Sequence, residues 1–175
     1  ALGVTGALAD PRFEVVRDGA AVAANDNWLG ADASAIAALG AFAFSAGSKD
    51  AALFLTLPAG NATAPVYAPA GASGVSLLEV YDADDATTAT AHFGGLSARG
   101  FVGPGDSVLI TGFVLGGEGA RRVLLRAVGP TLASLGVSDP LANPVLTLYR
   151  SSTALVSNDD WSAAANAADL ATAAA

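Results

Sequence analysis

The sequence predicts an all-β fold: an antiparallel β-sandwich of the jelly-roll or immunoglobulin-like type, with short helical turns, built as a tandem repeat. Three observations predict it, namely short segments of alternating apolar and polar residues, Gly/Pro-rich turns between them, and self-similarity at a long period. Many short strands separated by turns favour a sandwich or barrel, and no alternation of strands with helices is present. The chain has 175 residues, which is enough to bury a core because a domain of about 150 residues hides about 68–70% of its unfolded surface.

The internal repeat is visible by direct comparison of the two ends of the chain. Residues 2–28 align without a gap to residues 135–161 at an offset of 133, and 11 of the 27 aligned positions are identical. Shared composition can match alanines but not two tryptophans in register with an Asn-Asp pair. A period this long indicates a tandem domain and not a solenoid rung, since solenoid repeats run about 20–45 residues. The identical pairs include Leu2/Leu135, Pro11/Pro144, Arg17/Arg150, Asn25/Asn158, Asp26/Asp159 and Trp28/Trp161.

The repeat divides the chain into three parts. Residues 1–84 are predicted to form a first β-sandwich half or domain, and residues 85–133 a second β half that completes a unit of about 133 residues. Residues 134–175 are the start of the next copy, equivalent to residues 1–42. The acidic, turn-like stretch 82–87 marks the expected internal boundary.

The first repeated element is a predicted hairpin. Residues 12–17 place Phe13 and Val15 on one side, a half-buried strand with a period of two. Asp18-Gly19 follows, which is a preferred two-residue hairpin turn, and residues 20–24 return. The second copy repeats this with strands over 145–150 and 153–157 around Ser151-Ser152.

The remaining elements follow from local composition. Residues 31–39 are good helix formers closed by Gly40, which predicts a short helix. Pro65 makes the strand over 62–67 an edge strand, because proline cannot donate to a ladder. Residues 131–135 are expected to form a helical turn. Further strands are predicted over 52–57, 75–81, 88–93, 98–102, 107–115 and 121–128.

Charge and composition exclude several functions. Eight basic residues face sixteen acidic ones, giving a net charge of −8, so the cationic surface that a nucleic-acid binder needs is missing. No run of apolar residues is long enough for a membrane span. Cysteine is absent, which removes disulfides and thiolate nucleophiles and favours a bacterial source. The chain opens on Ala1 without a charged-then-apolar leader, which indicates a processed or excerpted segment.

Two groups of motifs resemble a repeat of large secreted bacterial surface proteins. The first group comprises RGFVGPGD at 99–106, VLITGF at 108–113 and RVLLRAVGP at 122–130. The second group, at 25–28, 55–60 and 74–82, is also similar in outline to bacterial pre-peptidase C-terminal domains. The resemblance covers nearly the whole unit and implies extracellular display in tandem arrays. It carries over no catalytic or binding residue.

Catalytic groups are sparse, and the sequence predicts no enzyme. His92 is the single histidine and has no nucleophile elbow beside it, so a strand residue is the expected role. Glycoside hydrolysis needs paired carboxylates. Glu14, Glu79 and Glu118 are the only glutamates, and Glu118 lies in a glycine turn with no buried neighbour implied. Residues 116–119 are glycine-rich but lack the Gly-Lys-Ser/Thr of a phosphate loop, which indicates a hairpin connection.

Calcium is the one cofactor that the sequence leaves open. Asn and Asp supply the hard oxygen ligands that calcium takes, although the spacing of a helix–loop–helix calcium site is missing. The alternative is that these side chains close turns through hydrogen bonds to the backbone. The six residues concerned are Asn25, Asp26, Asn27, Asp82, Asp84 and Asp85.

The expected role is therefore a non-catalytic structural or adhesive repeat of an extracellular surface protein or filament. Its expected partners are copies of itself, joined head to tail through β-rich contacts, with glycan as a further possible ligand and with neither nucleic acid nor a membrane span. The alternative is a carbohydrate- or calcium-binding accessory module of a secreted enzyme. A calcium titration with a melting readout separates the two, because a bound ion stabilises the folded state.

Overall fold

The computed structural model describes residues 4–84 and 91–163. The chain divides into two compact units, Ala1–Leu96 and Ser97–Ala175, which are described separately. Each contains one small antiparallel sheet, so the molecule is β-rich with a few short helices.

The sheet of the first unit grows from a local hairpin. Strands β1 (Arg12–Arg17) and β2 (Ala20–Asn25) pair antiparallel, with a bulge between Val15 and Val16. The central turn residues are left-handed, with φ of 51° at Asp18 and 79° at Gly19. Positive φ at both positions is the mark of a type I′ turn, whose twist matches that of the strands. The predicted hairpin is confirmed.

A distant segment adds to the other edge of β1. Strand β3 (Val66–Tyr67) pairs with Arg12 and Phe13, and Thr63 forms a bridge with Val16. The sheet order is therefore β2-β1-β3, and the predicted edge position of this strand is confirmed.

The helix between these strands forms where its composition predicts it. A 3₁₀-helix over Gly30–Asp32 continues into the α-helix α1 (Ala33–Ala38). Gly40 follows with a φ of 78°, a left-handed conformation that glycine adopts readily after a helix. A parallel bridge between Ala7 and Val75 ties the start of this unit to its later part.

The second unit carries the second hairpin. Strands β4 (Leu146–Arg150) and β5 (Thr153–Asn158) pair antiparallel. The predicted helical turn is confirmed as a 3₁₀-helix over Pro130–Leu135, which ends at Gly136 with a φ of 82°. A further 3₁₀-helix spans Trp161–Ala163.

The two hairpins correspond pair by pair at the sequence offset of 133. Phe13 faces Asn25 in the first, and Leu146 faces Asn158 in the second. The second bulge lies between Leu148 and Tyr149, the positions that correspond to Val15 and Val16. Ser151, which corresponds to Asp18, is also left-handed with a φ of 53°. The turns differ at their next residue, because Gly19 has a positive φ and Ser152 does not.

Several predicted strands are wrong in the described residues. Alternation of apolar and polar residues marks a segment that can enter a sheet, but a strand exists only where a second segment supplies its hydrogen bonds. Residues 75–81 contribute a single bridge at Val75, and the prediction over 88–93 lies partly outside the described residues. No ladder is recorded over 52–57, 98–102, 107–115 or 121–128.

The apolar side chains of these segments remain in contact with solvent. Among the described residues no hydrophobic side chain is fully buried. Phe101 is 88% exposed, Ile110 82% and Val114 94%. In residues 4–84 and 91–163 no helix has the length and apolar character needed to cross a bilayer.

Candidate functional site

The end of β2 contains the first group of candidate calcium ligands, and its oxygens are partly engaged. The Asn25 side-chain oxygen accepts a hydrogen bond from the Ala52 backbone N–H at 3.0 Å. The Asn27 side-chain nitrogen donates to an Asp26 carboxylate oxygen at 3.4 Å. Asn25 thus ties the end of the hairpin to a segment 27 residues later in the chain, a long-range contact and not the local turn closure expected of asparagine.

Trp28 makes further contacts next to Asn25, through both its backbone and its ring. Its backbone N–H donates to the Asp50 carbonyl at 2.8 Å, and its indole N–H donates to the Ser48 hydroxyl at 3.2 Å. The ring meets Phe44 edge to face at a centroid distance of 5.6 Å. Trp28 is half-buried, and an indole N–H removed from water usually finds a hydrogen-bond acceptor, which Ser48 supplies.

The second group of candidate ligands lies in a turn. An Asp82 carboxylate oxygen accepts the Asp84 backbone N–H at 3.1 Å, which is the geometry of an Asx turn. Asp85 lies outside the described residues. Within residues 4–84 and 91–163, no three His, Asp or Glu side chains lie together in an arrangement that could hold a metal ion.

The candidate catalytic groups differ in their contacts. His92 and Glu118 are exposed. The Glu14 carboxylate pairs with Arg12 at 3.0 Å, whereas the Glu79 carboxylate accepts the Tyr81 hydroxyl at 3.1 Å. Burial, reinforced by the hydrogen bond to Glu79, raises the pKa of Tyr81 above its ordinary value. The two carboxylates therefore serve different partners.

The most extensively bonded edge in the described residues is that of β1. Backbone N–H groups of Glu14 and Val16 donate to the carbonyls of Pro65 and Thr63 at 3.2 and 2.8 Å, and the Thr63 N–H donates back to Val16 at 3.0 Å. Arg17 extends this contact, since its guanidinium donates to the Pro58 carbonyl at 2.6 Å and to the Ala59 carbonyl at 3.2 Å.

We call residues 57–67 the donor segment, because they supply the added strand. The side of β1 that faces away from β2, together with Arg17, is called the acceptor edge, because it receives that strand. At the far end of β1, the Arg12 guanidinium lies 4.6 Å from the ring centre of Tyr67, a cation–π contact. Sequence reasoning placed a strand over 62–67 but missed its partner and the role of Arg17. The signal was present, because Arg17 is identical in the two copies.

Replacing Asn25 with alanine is expected to lower the free energy of unfolding by about 1 kcal/mol, since the Ala52 N–H loses its acceptor. Replacing it with aspartate keeps an acceptor oxygen in the same place and is expected to cost less. Urea denaturation of the two variants beside the wild type measures the difference. Equal losses in both variants would assign the effect to something other than the hydrogen bond.

The pair formed by Lys49 and Asp10 predicts a dependence of stability on pH. The Lys49 ammonium lies 2.7 Å from an Asp10 oxygen, and this hydrogen bond, with the charge of Asp10, raises the pKa of Lys49 above its ordinary value of 10.5. A raised pKa means that the pair stabilises the folded state below the ordinary pKa and that this contribution disappears as the pH rises through the folded-state pKa.

Comparison of wild type with Lys49→Gln isolates this effect. The wild type should be the more stable at neutral pH. The difference should shrink as the pH rises above 10.5 and through the folded-state pKa of Lys49, because residue 49 is then uncharged in both proteins. Chemical denaturation across this range, at low salt, measures it. A difference that stays constant through the alkaline range would contradict the assignment.

The comparisons with known proteins give no relative. No protein family, curated protein or solved structure matches this chain.

Proposed function

We propose that the chain is a non-catalytic structural or adhesive repeat of an extracellular surface protein or filament, whose units join head to tail through β-rich contacts. One observation carries the proposal: the hairpins β1–β2 and β4–β5 have the same register, the same bulge position and the same left-handed first turn residue at equivalent positions. An element that recurs in this way within one chain is what a tandem array of β-sandwich units would contain.

The exposed apolar surface of the second unit supports assembly. Phe101, Ile110 and Val114 are each more than four-fifths exposed, and the segments that contain them alternate as strands do. A contact between units would cover these side chains and supply ladder partners, which combines the hydrophobic effect with backbone hydrogen bonding. Head-to-tail contacts are heterologous and generate open fibres when the rotation between units does not close.

The negative charge of the chain affects how its units would associate. A net charge of −8 keeps individual units soluble and disfavours nonspecific contacts with other acidic molecules. Assembly of units with this charge requires short-range apolar and hydrogen-bonding contacts that exceed the repulsion. Added salt screens repulsion between exposed charges, so association should strengthen as the salt concentration rises.

Sedimentation velocity over a wide range of concentration tests the proposal directly. We expect the full chain to form larger species as its concentration and the salt concentration rise, and negative-stain electron microscopy to show fibres and not closed particles. Val114→Glu should weaken association, because it places a charge on an exposed apolar position.

Thr111→Glu is the matched control, since it adds the same charge at an exposed polar position nearby. It should leave association closer to that of the wild type. A wild-type chain that remains monomeric at every concentration and salt level would refute assembly by this unit.

A further inference from the structure

The second hairpin has an outer edge without a partner in the described part of the chain. Strand β1 pairs on one side with β2 and on the other with β3, but β4 pairs with β5 alone. A strand edge left open presents a row of backbone N–H and C=O groups that can pair with another strand. The two hairpins share their register, so the open side of β4 corresponds to the covered side of β1.

We propose that the outer edge of β4, together with Arg150, is a second acceptor edge and that it binds a donor segment from a further copy of the repeat unit. The inference rests on the proposed function, which supplies that copy. The described residues contain two such edges and one donor segment, residues 57–67, which already lies on β1. No second donor segment lies within residues 4–84 and 91–163, so a further copy is proposed to supply the donor.

The covered edge specifies the bonds expected at the open one. Thr147 and Tyr149 correspond to Glu14 and Val16, whose N–H groups donate to carbonyl oxygens of residues 57–67. The N–H of Thr147 should therefore donate to the carbonyl of the donor residue equivalent to Pro65. Tyr149 should exchange two bonds with the donor residue equivalent to Thr63. This is strand addition, in which main-chain bonds supply affinity.

Arg150 provides the contact beyond the ladder. It corresponds to Arg17, whose guanidinium donates to the carbonyl oxygens of two successive residues of the donor segment. A planar guanidinium suits such paired acceptors. Arg17 is half-buried beneath its donor segment, while Arg150 is exposed. Tyr149 is likewise 58% exposed, whereas Val16 is half-buried. Both differences are those that a missing donor segment would produce.

The donor segment suits an acidic partner. Residues 57–67 contain no charged side chain, so the net charge of the chain does not oppose their approach. Pro65 lacks an N–H and therefore suits an edge position. One contact will not be reproduced, because the position of Arg12, which lies over Tyr67, is taken by Val145 in the second copy.

A peptide of residues 57–67 with blocked termini, labelled at one end, tests the proposal in fluorescence anisotropy titrations with the full chain. We expect saturable binding with one peptide per chain, and a scrambled peptide should not bind. Arg150→Ala should weaken binding about tenfold, as the loss of hydrogen bonds from a charged donor implies. Arg121→Ala removes the same charge from an exposed position outside the second hairpin and should leave binding unchanged.

A second reagent removes a single bond without altering the protein. Methylation of the peptide nitrogen at Thr63 deletes the N–H that should donate to Tyr149 and should weaken binding, whether or not any variant folds. Absence of saturable binding, or equal binding of the scrambled and methylated peptides, would overturn the second acceptor edge. If the chain assembles in sedimentation but does not bind the peptide, the second acceptor edge is wrong and the proposed array stands. If the chain binds the peptide but remains monomeric, the proposed array is wrong and the second acceptor edge stands.

Discussion

Replacing Gly129 with alanine is expected to lower the free energy of unfolding of the second unit by about 1–3 kcal/mol, the usual cost of forcing extra atoms into occupied space. Gly129 is buried, and an added Cβ would overlap the Leu141 carbonyl oxygen and approach Pro144 Cδ to 3.1 Å. The carbonyl belongs to the backbone, so a side-chain rotation cannot relieve the clash. Thermal or urea denaturation of the variant measures the loss.

Gly116→Ala is the matched control for this substitution. An added Cβ at Gly116 meets nothing within 4 Å, and the φ of this residue is not positive. Alanine there should be neutral or slightly stabilising, because it reduces the freedom of the unfolded chain. Equal effects of the two substitutions would show that the close approach of residues 129 and 141 does not hold the second hairpin in place.

Gly74→Ala should destabilise the first unit by a similar amount, about 1–3 kcal/mol. Its Cβ would lie 2.6 Å from the Leu8 backbone nitrogen and 2.9 Å from the Gly6 carbonyl oxygen. These atoms belong to the parallel bridge. In it the Leu8 N–H donates to the Val75 carbonyl oxygen at 2.8 Å, and the Val75 N–H donates to the Gly6 carbonyl oxygen at 2.9 Å. The substitution therefore separates two backbones that are hydrogen-bonded to each other.

Gly94→Ala provides the control in the first unit, since an added Cβ there meets nothing within 4 Å. The readout should include hydrogen exchange at the Leu8 and Val75 amides, which report the bridge itself. Faster exchange at these amides in Gly74→Ala, with Gly94→Ala unchanged, is the expected result. A fall in stability without a change at either amide would place the damage elsewhere.

The elements that sequence reasoning located are those whose information is local. The hairpin at Asp18-Gly19 was predictable because alternation, turn chemistry and loop length all agree within residues 12–25. The helix before Gly40 was predictable for the same reason, since helix formers and a terminating glycine lie next to each other. The second hairpin followed from the sequence identity of the two copies.

What the sequence did not reveal is which distant segments meet. The pairing of Thr63 with Val16, the bridge from Ala7 to Val75 and the bonds from Arg17 to residues 58 and 59 all join positions far apart in the chain. Strand propensity measures the fit to a pleated, half-buried surface and does not identify the neighbour. The same limit explains the strands wrongly predicted over 107–115 and 121–128, where the pattern is present but the described part of the chain supplies no ladder partner.

The candidate ligands illustrate a second limit. Composition showed that Asn25 and Asp82 carry suitable oxygens, and it left a choice between metal binding and turn closure. Hydrogen bonds to the N–H groups of Ala52 and Asp84 engage one oxygen of each. Which backbone donor lies within reach depends on tertiary structure in the first case and on the turn conformation in the second, so residue type alone did not decide it.

Amide hydrogen exchange at equivalent positions of β1 and β4 tests the central claim most directly. In the monomeric chain the Val16 amide should exchange slowly, because it bonds to Thr63, while the Tyr149 amide should exchange rapidly. In assembled material the Tyr149 amide should become protected, since a strand from another unit then covers it. A Tyr149 amide that is protected in the monomer, or that stays unprotected in the assembly, would contradict the claim that units join through this edge.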